Sequence, residues 1–216
     1  MRLTHLGHAC LLVETGGERL LFDRGAFSAG YAELTDLTAI VVTHQHADHL
    51  DVDALPGLLK NNDGARLLTD PQTADQLQDE QISVETFAAG DRTDIGAVQL
   101  EGVGGRHAVI HADIPRIGNT GVVVRADGEP SWFHPGDMID TAPEGIDVLG
   151  LPISAPWCAL GQSADFLRAI APRIAVPIHD ALLSDLGRGA FLGILGGLVP
   201  DGTTVTDLRG AGPTTI

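Results

Sequence analysis

Residues 44–49, with the sequence HQHADH, constrain this chain more than any other segment. They follow the apolar run AIVVT at residues 39–43, which lacks polar alternation and so predicts a strand covered on both faces. Residues two apart on a strand share a face, so His44 and His46 can direct their imidazoles at one point, while Asp48 and His49 can reach a second point from the following turn. Three of the nine histidines lie in this hexapeptide, which argues against a solvated polar loop. The segment therefore predicts a metal site, and a fold that brings further ligands to the end of this strand.

The length and composition predict one folded domain spanning residues 1–216. A domain of this size buries roughly 70% of the surface that its unfolded chain exposes, which is enough for a hydrophobic core without disulfides. Hydrophobic residues make up 44% of the chain and charged residues 19%, as is typical of globular proteins. The first residues lack a signal-peptide pattern, and the most apolar stretch, Gly189–Pro200, is short and broken by glycines. We therefore expect a cytoplasmic protein that does not enter a membrane.

The chain is strongly acidic, with 29 acidic and 13 basic residues, a net charge of −16 and a pI near 4.6. This charge repels nucleic acid and anionic membranes, so we expect neither as a partner and expect a small-molecule substrate. An anionic substrate would need local positive charge, which metal ions supply. Cys10 and Cys158 lie far apart and outside any Cys-x-x-Cys pair, so we expect buried thiols and no disulfide. The sequence leaves open whether the protein forms a homo-oligomer.

Short apolar runs and turn residues predict strands in both halves of the chain, with Gly16-Gly17 as a hairpin turn. The predicted strands are Arg2–Leu6, Cys10–Glu14, Arg19–Asp23, Ala39–Thr43, Arg66–Thr69, Ile82–Phe87, Arg92–Ile95, Val98–Val103, Gly121–Arg125, Pro130–His134, Val148–Pro152 and Arg173–Ile178. The predicted helices are Ala54–Lys60 with Asp53 as its cap, Pro71–Gln78, Ser163–Ile170 and a segment near Ala181–Leu186.

The order of these elements favours an α+β fold in which two sheets pack face to face with the helices outside. Sheet-forming segments occur in both halves of the chain, and helices come towards the end of each half. We expect residues 210–216 to fray, as chain ends commonly do.

Three further residues of metal-ligand type lie where a predicted strand gives way to a loop. His107 follows a flexible Gly-Gly-Arg approach, Asp137 follows the strand that contains Trp132, and His179 closes the sequence VPIH. Such positions commonly carry functional sites on rigid scaffolds. We therefore expect His107, Asp137 and His179 to complete the coordination that the hexapeptide begins. His111, four residues after His107, competes with it for the third histidine position.

Five motifs, taken in order, resemble those of the metallo-β-lactamase superfamily of metal-dependent hydrolases. They are Asp23 at the end of an early strand, the HxHxDH cluster at 44–49, and then His107, Asp137 and His179. The resemblance covers nearly the whole chain and implies a four-layer αββα sandwich with two mixed sheets and the metals in a cleft at one sheet edge. The segments THLGHA at residues 4–9, LP at 151–152 and PIH at 177–179 are similar to the branch that contains ascorbate-6-phosphate lactonase-like proteins.

The resemblance also implies a binuclear site and a division of its ligands. One ion would be held by His44, His46 and His107, and the second by Asp48, His49 and His179. Asp137 would bridge the two ions, and Asp23 would orient the cluster through hydrogen bonds. Imidazole and carboxylate ligands without a thiolate suit zinc, manganese or iron, and their chemistry does not choose among the three. We expect two divalent metal ions, zinc with manganese or iron as alternatives.

These ligands predict a hydrolase in which a metal-bridged hydroxide attacks an ester, lactone or phosphodiester bond of a small molecule. Asp48 is the expected catalytic residue, because it can accept or orient the proton of the water molecule. In the resembling family, the β-lactamases of classes B1 and B2 use a cysteine ligand at the position that Asp137 matches here. This departure argues against antibiotic hydrolysis.

Two other functions stay open at the level of sequence. One is an iron oxidoreductase on the same scaffold, similar to a persulfide dioxygenase, because iron sites of this kind use the same residue types. The other is a metal-binding module without catalysis. The roles of three residues are also open: His8 is expected to be a hydrogen-bonded structural histidine, His134 either contacts substrate or packs behind the site, and Trp157 is expected to pack in the core.

Overall fold

A computed structural model describes residues 1–216 as fourteen strands and four helices. The strands are β1 (Arg2–His5), β2 (Leu11–Thr15), β3 (Glu18–Phe22), β4 (Ala39–Val42), β5 (Arg66–Thr69), β6 (Glu85–Thr86), β7 (Arg92–Ile95), β8 (Val98–Gly104), β9 (Thr120–Ala126), β10 (Trp132–His134), β11 (Val148–Pro152), β12 (Ile174–Ile178), β13 (Thr204–Val205) and β14 (Thr214–Thr215). The helices are α1 (Leu55–Asn61), α2 (Pro71–Asp79), α3 (Leu160–Ile170) and α4 (Asp185–Gly196).

The strands form two mixed sheets of seven strands each. The first sheet has the order β14-β1-β2-β3-β4-β5-β6, and the second has the order β13-β12-β11-β10-β9-β8-β7. Hairpin neighbours such as β2 and β3 are antiparallel, whereas β3, β4, β5 and β6 run parallel, as do β10, β11, β12 and β13. The carboxyl ends of parallel strands lie at one edge of a sheet, which is where sites form in such sheets.

Three hydrophobic clusters show how the layers stack. The largest has nineteen buried residues, including Leu20 and Val41 of the first sheet and Trp132 and Val176 of the second, so it fills the space between the sheets. A second cluster joins the outer face of the first sheet to α1 and α2, and a third joins the outer face of the second sheet to α3 and α4. The predicted αββα sandwich is therefore confirmed.

The predicted end of the chain and its last helix are wrong. Residues 214–215 do not fray, because they pair with β1 as an edge strand. The last helix is α4 at Asp185–Gly196 and not a segment at Ala181–Leu186. Its glycines weaken helix propensity, but the Ser184 side chain caps it by accepting from the N–H of Gly187, and Leu195 is fully buried against the sheet.

Two smaller local predictions are also wrong. The strand expected at Ile82–Phe87 is reduced to the two residues of β6. Asp53 does not cap α1; the N-cap is Ala54, and the carboxylate of Asp51 accepts its backbone N–H at 3.1 Å.

Cys10 and Cys158 are free and buried, as expected, and burial raises the pKa of both thiols. No helix is long and apolar enough to cross a bilayer.

Candidate metal centre

Residues from both sheets converge in two adjacent groups that have the composition of metal sites. One group consists of His44, His46, His107 and Asp137, and the other of His8, Asp48, His49 and His179; within each group the ligand atoms lie within 4.8 Å of one another. The 44–49 turn follows β4 of the first sheet, whereas His107, Asp137 and His179 follow β8, β10 and β12 of the second. All seven residues predicted as ligands therefore meet at one place.

The carboxylate of Asp137 lies between the two groups. Its Oδ1 is 2.9 Å from Nε2 of His49 and 3.2 Å from Nε2 of His179. Its Oδ2 is 3.1 Å from Nε2 of His107 and 3.7 Å from Nε2 of His44. One carboxylate thus offers a separate oxygen to each group, which is the arrangement of a ligand shared by two ions.

His49 and His179 are held by outward hydrogen bonds that leave Nε2 without a partner. Nδ1 of His49 lies 2.6 Å from Oδ2 of Asp23, and Nδ1 of His179 lies 2.8 Å from the carbonyl oxygen of Ser154. Because Nδ1–H donates to these oxygens, the neutral ring keeps its lone pair on Nε2, which faces the cluster.

In the other group the Nδ1 atoms of His44 and His107 also bond outward, and Nε2 of His107 lies within hydrogen-bond distance, 3.1 Å, of Oδ2 of Asp137. Nδ1 of His107 donates to the carbonyl oxygen of Ala108 at 2.6 Å. Nδ1 of His44 lies 3.1 Å from Oγ1 of Thr43, whose own hydroxyl donates to Asp23 at 2.8 Å. His44 and His107 therefore both direct the Nε2 lone pair inward. The half-buried His46 differs, because its Nδ1 is the atom that faces Nε2 of His44, at 3.2 Å.

Three buried atoms at the meeting point have no hydrogen-bond partner: Nε2 of His49, Nε2 of His179 and Oδ1 of Asp137. Both nitrogens lie within 3.2 Å of that oxygen, yet neither pair has hydrogen-bond geometry. Unpartnered polar atoms are rare in protein interiors and need an explanation. A divalent cation that accepts these lone pairs would satisfy all three, so the residues fit a metal centre.

The charges of the cluster are strongly coupled. Burial acts to raise the pKa of Asp137, but His49, His179 and His44 hold it well below the usual range. Burial acts to lower the pKa of His49, yet the carboxylates of Asp137 and Asp23 raise it well above the ordinary value. The carboxylates thus favour positive charge at the point where the imidazoles converge, and this is what a bound cation provides.

Three of the six non-glycine residues with a left-handed backbone lie at the centre. His8, Asp23 and His179 have φ of 52°, 43° and 59°, in the left-handed region that side-chain-bearing residues seldom occupy. Such conformations persist when the surrounding structure holds them, and they cluster at functional sites. Gly136, with φ of 59°, precedes Asp137; a Cβ there would overlap the side chains of Asn119 and Thr43, so only glycine fits.

The family described as "Beta-lactamase superfamily domain" matches residues 2–179 of this chain. The chain belongs to the beta-lactamase superfamily. The chain is 46% identical over 196 residues to Protein Rv0786c of Mycobacterium tuberculosis, covering 90% of this chain and 91% of that protein. It is 31% identical over 203 residues to a UPF0173 metal-dependent hydrolase of Aeropyrum pernix, covering 82% of this chain and 81% of that protein. Membership of a metal-dependent hydrolase family, expected from the motifs, is thereby confirmed.

Several solved structures share this fold. Igni18, a metallo hydrolase from the archaeon Ignicoccus hospitalis, has a TM-score of 0.72 at 19% identity, covering 100% of this chain and 97% of that chain. CmlA, a diiron β-hydroxylase from Streptomyces venezuelae, has a TM-score of 0.72 at 16% identity, covering 95% of this chain and 52% of that chain. At these identities the likeness concerns the fold alone. The narrower ascorbate-6-phosphate lactonase-like branch stays a prediction.

His107 and His111 lie in different surroundings, and only His107 joins the candidate metal groups. The imidazole of His107 is buried beside Asp137, whereas the side chain of His111 is 65% exposed and lies 3.6 Å from Asp113 at the surface. His134 lies behind the candidate metal centre. Its Nε2–H donates to the carbonyl oxygen of Ala9 at 2.8 Å, and its Nδ1 accepts the backbone N–H of Gly136. Of the two roles considered for His134, the structure supports packing.

Sequence reasoning missed two contacts of the site. Trp157 does not only pack in the core: its indole N–H donates to Oδ2 of Asp137 at 2.8 Å. Asn119, which no motif marks, accepts the backbone N–H of Asp137 at 2.9 Å and donates to the carbonyl oxygen of Pro135. Trp157 fixes the carboxylate of Asp137 and Asn119 fixes its backbone, both from loops distant in sequence, so only the folded chain reveals these contacts.

Proposed function

We propose that this protein is a binuclear metal-dependent hydrolase acting on an ester, lactone or phosphodiester bond of a small molecule. The observation that carries the proposal is the position of Asp137, whose two oxygens face two separate groups of imidazole lone pairs. A site for a single ion would not need a carboxylate that divides its oxygens in this way. Family membership supports metal-dependent hydrolysis in general, and the divided carboxylate supports two ions.

The proposed ligands follow from which atoms face one another. His44, His46 and His107 would hold one ion, and Asp48, His49 and His179 the other, with Asp137 shared between them. The set contains five imidazoles, two carboxylates and no thiolate, which suits zinc, with manganese or iron as alternatives. Asp23 and Thr43 would fix the rings of His49 and His44 from behind, since both accept the outward Nδ1–H bonds.

Bound ions would supply the chemistry that the side chains lack, by lowering the pKa of a water molecule and polarising the bond to be cleaved. The chain's own contribution begins with Asp48. Its side chain is 21% exposed, whereas those of His44, His49 and Asp137 are almost fully buried. Asp48 therefore lies where the site opens to solvent and can accept a proton from a water molecule entering there, and it is the residue we propose as catalytic.

His46 lies on the same open side as Asp48. Its ring is half-buried, and it borders the fully enclosed rings of His44 and His107. A substrate would therefore approach over His46 and Asp48, while the opposite side of the centre is closed by the buried Asp23, Thr43 and His134. A small molecule fits this one-sided access, because it needs to present only one bond to the cluster.

The test is metal analysis of the purified protein combined with a hydrolysis screen. We expect two divalent ions per chain and turnover of at least one member of a panel of lactones, aryl esters and phosphodiesters. Activity should be abolished by His46→Ala and by His179→Ala, one residue from each group, and retained by His111→Ala as the matched control. One iron per chain with oxygen uptake and no hydrolysis would instead identify an oxidoreductase, and unchanged activity in Asp48→Ala would remove Asp48 from catalysis.

A further inference from the structure

His8 belongs by distance to the Asp48 group of the centre. Its side chain is completely buried, and its Nε2 lies 3.1 Å from Oδ2 of Asp48. Its ring centroid lies 4.0 Å from that of His179 and 5.6 Å from that of His49. Judged by position alone, His8 would be a third histidine ligand for the ion held by this group.

The hydrogen bond at the other ring nitrogen indicates a different role. The backbone N–H of Ala181 donates to Nδ1 of His8 at 3.3 Å, so Nδ1 carries the lone pair and the proton of the neutral ring is on Nε2. In His49 and His179 the order is reversed, because Nδ1–H donates outward and the lone pair on Nε2 faces the cluster. His8 therefore presents an N–H to Asp48, where a ligand would present a lone pair.

We propose that His8 is a positioning residue that holds Asp48 through an Nε2–H···Oδ2 hydrogen bond and does not bind metal itself. The inference rests on the proposed function in taking Asp48 as a ligand and catalytic group. The bond from His8 is the only hydrogen bond that the Asp48 carboxylate accepts. Without it, a carboxylate on a partly exposed turn would be free to rotate away from His49 and His179.

The backbone of His8 gives this bond a fixed frame. Its carbonyl oxygen accepts the N–H of His179 at 3.0 Å, and its ring accepts the N–H of Ala181, so one residue is tied twice to the segment that carries a ligand. The left-handed φ of 52° turns the ring towards Asp48 immediately after Gly7, which has a φ of 107°. His8 thereby fixes the distance between Asp48, on a loop of the first sheet, and His179, on a loop of the second.

The experiment compares His8→Gln, His8→Asn and His8→Ala with the wild type by calorimetric titration of the metal-free proteins with Zn²⁺. The amide nitrogen of glutamine can replace the Nε2 donor, whereas asparagine keeps the left-handed backbone accessible but is too short to reach Asp48. We expect every variant to bind as many ions per chain as the wild type. His8→Asn and His8→Ala should lose about 10- to 100-fold in affinity for one ion, and His8→Gln should recover most of that loss.

A second readout follows the geometry of the bound ion. In the Co²⁺-substituted proteins, the visible absorption of His8→Gln should match that of the wild type and that of His8→Asn should differ. Loss of one ion per chain in His8→Gln would overturn the proposal, because it would make His8 a ligand. Wild-type affinity in both His8→Asn and His8→Ala would also overturn it. A wild type that binds two ions but hydrolyses nothing would refute the proposed function and leave the result for His8 standing.

Discussion

Gly25 packs against the backbone of Asp48 so closely that a Cβ on Gly25 would overlap the carbonyl group of Asp48. The next residue, Ala26, donates its N–H to the carbonyl oxygen of Ala47 at 2.7 Å. The loop after β3 therefore packs against and hydrogen-bonds to the 44–49 turn, which carries four of the proposed ligands. Small changes at Gly25 and Ala26 should be transmitted to the candidate metal centre through these backbone contacts.

Gly25→Ala is accordingly expected to displace the 44–49 turn. Because the added methyl group meets backbone atoms that cannot rotate away, we expect a loss of at least about 2 kcal/mol in unfolding free energy, together with weaker metal binding. Urea unfolding and Zn²⁺ titration measure the two effects. Gly57→Ala is the matched control: a Cβ there meets nothing within 4 Å and lies in α1, so this variant should be as stable as the wild type or slightly more stable. Equal stability of both variants would contradict the prediction.

Asp23→Asn tests the support behind His49. Asp23 accepts the Nδ1–H of His49 at 2.6 Å as well as the N–H and hydroxyl of Thr43, each at 2.8 Å. A neutral amide weakens the bond to the imidazole, so affinity for the ion on the His49 side should fall about 10- to 100-fold while the fold is retained. Calorimetric titration of the metal-free variant measures this affinity. Asp147→Asn, which alters a similar acceptor of the Ser131 N–H and hydroxyl, should leave metal binding unchanged.

Removal of the shared carboxylate should affect both ions, in contrast to removal of a ligand from one group. His44→Ala and His49→Ala should each retain about one ion per chain after dialysis, because each leaves the opposite group intact. Asp137→Ala should retain less than either, since it withdraws an oxygen from both groups. Metal content by mass spectrometry measures the difference. If Asp137→Ala retains as much metal as the single-group variants, the two ions do not share this residue.

An ion pair beneath the His179 loop makes stability depend on pH. Arg188 donates to both oxygens of Asp207 at 2.7 Å, and its hydrogen bonds hold the pKa of Asp207 below the usual value of 3.8. A lowered folded-state pKa contributes stability above the unfolded pKa, and this contribution is lost as the pH falls through the folded value. Asp207→Asn should therefore cost about 1 kcal/mol at pH 7, since the partly exposed pair is screened, and the difference should shrink as the pH falls below 3.8, the ordinary pKa of this carboxyl group.

Thermal unfolding of metal-free protein at pH 7 and at pH 3 measures this difference without a contribution from metal release. Asp201→Asn serves as the control, because Asp201 lies in an exposed turn and has no side-chain partner. A cost for Asp207→Asn that is the same at both pH values would show that the ion pair is not its cause.

The sequence predicted the parts of the site that are encoded locally. The HQHADH turn needs only strand periodicity and a following turn to be recognised, and His107, Asp137 and His179 are ligand-type residues at strand ends. The sequence predicts a hydrogen-bonded structural histidine at His8; the ring is hydrogen-bonded, and its partner is the proposed ligand Asp48. Nothing in the spacing of His8 encodes this, because the contact joins residues forty positions apart through a left-handed turn.

The errors in the fold arose where tertiary contacts outweigh local propensity. Residues 214–215 form a strand because an open edge of β1 is available to them, and two residues carry no periodic signal. Helix α4 contains four glycines and reads as a broken apolar stretch, yet its cap at Ser184 and the burial of Leu195 sustain it. The contacts of Trp157 and Asn119 with Asp137 likewise depend on loops that meet only in the folded chain.

The division of the proposed ligands between two sheets also has a kinetic consequence. The 44–49 turn belongs to the first sheet, and His107, Asp137 and His179 belong to the second, so the site is complete only after the two sheets have docked. An ion bound there would stabilise the native state by mass action and act late in folding. Metal should therefore slow unfolding strongly while leaving the refolding rate almost the same with and without a chelator. The bound metal would thus increase the kinetic stability of the assembled sandwich without helping it to assemble.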